Sequence, residues 1–290
     1  MTTANRATLP LQNRPVLPLE HGDRLTREEF ERRWEAMPDL KRAELLDGMV
    51  YLAANYRGRI LDHSIPPLEN GDRLTRAEFE RRWENMPDLK KAELLDGEVF
   101  ISPPVSAGRH GIPHSKLMAW IGAYWMSTPG IAVADNSTLH LQSGSDAQPD
   151  AMAFLLPEHG GKARLDDEGY VEGVPELVAE VASSSASYDL HTKYELYRRH
   201  GVAEYVVWRV RDAAVDWFAL RDGAYQPLAA DADGVFRSRV LPGLWLDAAA
   251  LDGGDLPRLM SVLQQGTASP DHAAFVRRLA PARGGGGPNT

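Results

Sequence analysis

The runs PDAMAFLL, from Pro149, and LVAEVA, from Leu177, are apolar almost throughout, yet Asp150 heads the first and Glu180 interrupts the second. Short apolar runs of this kind suit strands that are covered on both faces, so the chain needs a sheet with further layers on either side. In an extended strand Glu180 points away from the face of its immediate neighbours. A carboxylate buried there is costly unless it is paired or ligated, so Glu180 calls for a partner.

Around these runs the pattern alternates between strand and helix. PHSKLMAWIGAYW reads as an amphipathic helix with Pro113 at its first position and apolar residues at 117, 118, 121, 124 and 125, ended by Thr128-Pro129-Gly130. IAVAD and TLHLQ read as strands before the two central runs. DLHTKYELYRRHG reads as a helix with Asp189 near its start and Gly201 as its stop. AEYVVWRV, AVDWFAL and GAYQPLAA read as further strands, the last two joined by a tight turn at Arg221-Asp222-Gly223. Two short helices, around DLPRLMSVLQQ and DHAAFVRRLA, close the pattern.

The chain also repeats itself. Pro18 to Tyr51 returns as Pro67 to Phe100 with six paired positions changed. Two copies are too few for a stacked solenoid, which needs about three to bury a continuous face. Each copy predicts a local unit: in the second, Thr75 and Glu78 form a capping box, Phe79, Trp83 and Met86 follow at helical spacing, and Pro87 stops the helix. AELLDGEVFIS then folds back at Asp96-Gly97, a strong hairpin signal. The expected organisation is an N-terminal extension over 1–66, poorly ordered or swapped onto a partner, then a main domain over 67–280. The first seventeen residues and the tail 281–290 are expected to be disordered.

With 290 residues, 43% of them hydrophobic, the chain can bury one sizeable core and a small appendage. It has no cysteine, which excludes disulfides, thiolate zinc sites and cysteine nucleophiles and leaves oxygen or imidazole to hold any metal. MTTANRATLPLQNRPVLPLE lacks an apolar signal core, and no apolar run approaches the roughly 18 residues a bilayer requires, so the expected location is the cytoplasm, away from membranes. The net charge of -9 argues against broad attraction to phosphate backbones. Lys193, Arg198, Arg199, Arg209 and Arg211 are a candidate local basic face, with solvated helix and strand edges as the simpler account.

Carboxylates from adjacent strands can make the oxygen-rich, partly hydrated site that Mg2+ prefers. Such an ion would polarise a phosphodiester and lower the pKa of a bound water. Lys193 could orient that water or offset charge in the transition state. The bland alternative is a buried Glu180–Lys193 ion pair and a capping Asp150.

Glu93 in AELLDGE, His110 in SAGRHG, Asp150 in QPD, Glu180 in ELVAEVASSS and Lys193 in YDLHTKYELYRRHG, in that order, resemble the Uma-type restriction endonuclease family, a branch of the PD-(D/E)XK nucleases. The resemblance runs from about Leu74 to Arg278 and is most specific between Gln148 and Trp208. It implies an α/β (α+β) restriction-endonuclease-like fold, a central mixed sheet flanked by helices. It also implies a Mg2+ or Mn2+ requirement, DNA as substrate and a homodimer. Asp150 and Glu180 take the metal-ligand positions and Glu93 the acidic position from the first helix and strand. The usual E-x-K is absent, since Ala182 stands two residues after Glu180, and the lysine role passes to Lys193 on the next helix. Read from the residues, His110 and His114 have substrate-cleft or capping roles, with metal ligation the lesser alternative, and Gln148 is a substrate-cleft residue.

Other features have simpler readings. His110 and His114 are one helical turn apart, but no HExxH pattern surrounds them. Ser183, Ser184 and Ser185 lack a nucleophile elbow and read as a loop that caps the next helix. Trp208, Trp217 and Trp245 read as core rather than base-stacking platforms. Gly160-Gly161-Lys162 is too short for a phosphate-binding loop and reads as a hairpin tip. The expected function is metal-dependent DNA hydrolysis; the competing one is a non-catalytic nuclease-fold module that binds protein or nucleic acid.

Overall fold

The structure, a computed structural model, describes residues 19, 23–38, 40, 43–46, 48–52, 65–86, 89, 91–101, 106–142, 144–183 and 189–279. It divides into two compact units, Met1–Leu68 with Ala77–Lys90, and Glu69–Arg76 with Lys91–Thr290.

The first unit holds helix α1 (Arg27–Glu35), the hairpin of β1 (Ala43–Leu46) and β2 (Met49–Leu52), and helix α2 (Arg76–Glu84) from its second residue onward. Thr26 caps α1 by accepting the Glu29 N–H at 3.3 Å, while the Glu29 carboxylate turns to Arg32 and Arg33. The two copies repeat their local contacts. Phe30 packs on Trp34 at 5.3 Å and Phe79 on Trp83 at 5.4 Å; the indoles donate to Leu40 O and Leu89 O. A small core of Leu19, Phe30, Met37, Leu40, Ala43 and Val50 supports the first copy. The expected stop at Pro87, the first seventeen residues and the C-terminal tail lie outside the described residues.

The second unit carries two six-stranded mixed sheets flanked by helices, so the expected mixed sheet is present and a second accompanies it. One, the central sheet, contains β5 (Ile131–Asp135), β8 (Ala151–Leu155), β11 (Leu177–Ala182), β12 (Glu204–Arg209), β13 (Ala214–Arg221) and β14 (Ala224–Pro227), in the order β14-β13-β12-β11-β8-β5. The other contains β3 (Ala92–Leu95), β4 (Glu98–Ile101), β6 (Leu139–His140), β7 (Asp146–Ala147), β9 (Lys162–Leu165) and β10 (Val171–Val174), in the order β4-β3-β7-β6-β10-β9. The two central apolar runs are β8 and β11, neighbours inside the central sheet, and every residue of β11 is buried.

Strand alternation builds two cores. Ala151, Ala153, Ala179, Val181, Val206 and Trp208 face α3 (Ile112–Met126) and the C-terminal helices α5 (Ala248–Gly253), α6 (Leu256–Thr267) and α7 (Pro270–Leu279). Met152, Phe154, Val178, Ala182, Tyr205 and Val207 face the second sheet and α4 (Tyr194–His200). β11 and β12 run parallel, and α4 is the crossover between them. Gly201 ends α4 at φ 82°, where its N–H bonds back to Arg198 O and Tyr197 O. Both expected tight turns form: Asp96-Gly97 and Asp222-Gly223 all have positive φ. Trp208 and Trp217 are core, as expected, and Trp217 meets Trp120 edge-on.

Several expectations need correction. Gly160-Gly161 is not a hairpin tip, because it leads from β8 in one sheet to β9 in the other. A Cβ on Gly161 would stand 1.8 Å from Leu155 O, so only glycine fits that passage. TLHLQ shortens to Leu139–His140. Trp120, not Trp125, belongs to the buried side of α3; Trp125 is half exposed. The helices carrying His110 and Lys193 open with wide π-type turns, Ala107–Gly111 and Asp189–Lys193.

Candidate active site

The antiparallel pairing of β8 with β11 reaches Ala151 opposite Ala179 and stops there. Asp150, just outside the ladder, takes over: its Oδ2 accepts the Val181 N–H at 2.8 Å, and its own N–H donates to Glu180 Oε2 at 3.4 Å. The Asp150 N–H thus holds Glu180 and the Val181 N–H holds Asp150, a local reason for a carboxylate at the head of one strand and another inside its neighbour.

Glu93 reaches the same place from β3 in the second sheet. Its Oε1 accepts the Gln148 N–H at 2.6 Å and lies 3.0 Å from Lys193 Nζ. Lys193 closes the π-type turn before α4 and also stands 2.9 Å from Glu180 Oε1 and 3.9 Å from Asp189. Tyr197, one turn further, donates to Glu180 Oε1 at 3.3 Å. Glu93, Asp150, Glu180, Asp189 and Lys193 are all buried.

On the side of Asp150, Oδ1 meets Lys91 Nζ at 3.3 Å and His110 Nε2 at 3.5 Å. His110 Nδ1 faces Val181 O at 3.1 Å; a carbonyl only accepts, so Nδ1 carries a proton and donates it. His114 stacks on His110 at 5.6 Å and donates from Nε2 to Asp150 O at 3.0 Å, with Asp135 Oδ1 at 3.1 Å. Gln148 is buried, its amide donating to Thr138 Oγ1 at 3.1 Å, so its side chain serves the site's frame.

The electrostatics follow from this crowding. Burial drives the Glu180 carboxyl up to about 8; Lys193 opposes this, and Asp150 and Asp189 push the same way. Burial also works against the Asp150 charge, but Lys91, His110, Lys193 and the Val181 N–H outweigh it and hold that carboxyl below its ordinary value. Burial would lower the Lys193 pKa, yet Glu180, Glu93, Tyr197 and Asp189 raise it well above the usual lysine value. Four acids therefore share this cluster with two lysines.

All seven residues singled out in the sequence sit in or against this cluster: Glu93, Asp150, Glu180 and Lys193 in its middle, with His110, His114 and Gln148 around them. Three participants were missed, Lys91, Asp189 and Tyr197. Asp189 reads in the sequence as a helix start. Lys91 reads as part of the charged run KKAE, although its two-residue spacing from Glu93 places both on one side of an extended segment. Of the five residues of the candidate basic face, Lys193 is buried, while Arg198 pairs with Glu195, Arg199 with Asp96 and Arg209 with Asp216; Arg211 is exposed. Ser184 and Ser185 lie outside the described residues.

The family model described as "Putative restriction endonuclease" (Uma2) matches residues 76–249. The chain belongs to this family. The Uma2 match takes in every residue of the cluster, and a nuclease is the functional class that membership supports. Among solved structures, the chain is similar to a nuclease described as putative and belonging to DUF820, from Anabaena variabilis. The two are 13% identical over 66% of this chain and 99% of that one, with a TM-score of 0.47. No curated protein matches the chain. Among the described residues, no helix of this Uma2 protein is long and apolar enough to cross a membrane.

Proposed function

We propose that the chain is a divalent-metal-dependent endonuclease that hydrolyses phosphodiester bonds in DNA, with Asp150 and Glu180 as the ligands of Mg2+ or Mn2+. One observation carries the reading: Glu93, Asp150, Glu180 and Lys193, far apart in sequence, converge through contacts of 2.9 to 3.4 Å. The donor set fits a hard cation, since its acids offer carboxylate oxygens only. The upward push on Glu180 supports the same reading, because a carboxyl whose charge is disfavoured by burial is one a divalent ion would relieve. When bound, such an ion supplies Lewis acidity and a water of lowered pKa.

The chain's own residues then have distinct tasks. Lys193 donates to Glu93 and Glu180 at 3.0 and 2.9 Å and orients both. The Val181 N–H aims Asp150, and the Gln148 N–H aims Glu93. His110 and His114 line the approach to Asp150 and face the substrate. A homodimer acting on both DNA strands in the cytoplasm belongs to this reading.

Nicking of supercoiled plasmid with Mg2+ or Mn2+ tests it, comparing wild type with Asp150→Ala. Loss of nicking in the variant is expected, and equal nicking by both rejects the assignment. The competing module without catalysis draws on Ala182 at the E-x-K position and on the net charge of -9. A folded wild-type protein that takes up no Mn2+ by calorimetry supports that module instead.

A further inference from the structure

We infer that Lys91, not Lys193, is the amine that meets the substrate: its Nζ binds a non-bridging oxygen of the scissile phosphodiester beside Asp150. The inference rests on the nuclease reading above and assigns the phosphate-contacting group within it.

Two lysines reach the acidic cluster, and their surroundings differ. Lys193 is 3% exposed and faces Glu180 and Glu93 at 2.9 and 3.0 Å, with Asp189 at 3.9 Å. Its three N–H bonds are surrounded by buried acids, and turning it toward a phosphate would strip those acids of their counter-charge. Lys91 is 22% exposed and meets the Asp150 carboxylate at 3.3 Å, the long end of a charged contact. It stands immediately ahead of β3, two residues before Glu93, at the open side of the cluster. A flexible four-carbon stem lets its ammonium follow an anion that arrives at Asp150.

The experiment compares wild type, Lys91→Met and Lys91→Arg in plasmid nicking with Mn2+, alongside lysine acetylation footprinting with and without duplex DNA in Ca2+. Lys91→Met is expected to stay folded, with a lowered melting temperature as Asp150 loses a counter-charge, and to nick ~100-fold more slowly, the scale of losing one charge-stabilising donor. Lys91→Arg is expected to restore part of that loss. Lys91 should acetylate in the free protein and be shielded by DNA, whereas Lys193 should stay unreactive in both. Wild-type rates in Lys91→Met overturn the inference. If Lys91→Met fails to fold, Lys91→Arg and the footprint decide. If the wild type nicks nothing, hydrolysis fails as a reading, and shielding of Lys91 by DNA still decides this inference: shielded upholds the contact, unshielded rejects it.

Discussion

Lys193 Nζ lies 2.9 Å from Glu180 Oε1, and each of these side chains is only 3% exposed. Breaking a buried ion pair by removing one partner leaves the other charge without compensation. Lys193→Met strands Glu180 and Glu93 together, so a loss of about 3–5 kcal/mol is expected. Equilibrium urea unfolding measures it. A loss below about 1 kcal/mol, the size of an ordinary substitution, would mean that the acids do not depend on this amine.

His140 and Asp146 give a second test, one that depends on pH. The close contact of His140 Nδ1 with the Asp146 carboxylate, 3.2 Å apart, raises the imidazole pKa; burial and Arg76 oppose the shift, and Asp166 adds to it. A folded-state pKa above the unfolded value near 6.5 means that the native protein holds this proton more tightly. The contribution is complete below that value and fades as pH rises through the folded one. An NMR titration of His140 should give a midpoint above 6.5, and Asp146→Asn should lower it. A wild-type midpoint at or under 6.5 contradicts the assignment.

Gly161→Ala tests the passage between the sheets. The added methyl would meet Leu155 O at 1.8 Å, so backbone must move, and a loss well beyond about 1 kcal/mol is expected. Gly253→Ala is the control: it sits in α5 with nothing within 4 Å of its added carbon and should be neutral or slightly stabilising. Thermal melting of both variants checks this, and equal melting points would remove the steric argument.

Deleting residues 1–66 is expected to leave the melting temperature of the main domain nearly unchanged. Both six-stranded sheets and the acidic cluster belong to the unit that begins at Glu69, apart from Ala77–Lys90. A fall of more than about 5 °C would make the first copy an integral part of the fold.

What could be read in the sequence follows from contrast. Asp150 and Glu180 stand out because apolar neighbours surround them, and Asp96-Gly97 and Asp222-Gly223 stand out because few residue pairs accept two positive φ values. β9 and β10, KARL and VEGV, had no such signal. They are half exposed and bury Ala163 and Val171 against the core, too little apolar surface to set a period. Lys91 was hidden for the opposite reason, since a lysine in a charged run resembles any solvated one until the fold brings Asp150 to it. Asp189 was hidden because a helix start already accounts for an aspartate.

The parallel pair β11–β12 with α4 between them bears on how an amine is delivered to an acid. Within one strand, the side chain that can share Glu180's face is two residues on, and there the chain has only a methyl group, Ala182. The space so spared is filled from above by the return segment, whose long side chain descends onto the strand it has just left. Position along the chain and position in space are thereby uncoupled, and a motif search keyed to fixed spacing will pass over relatives that solve the same problem by this detour.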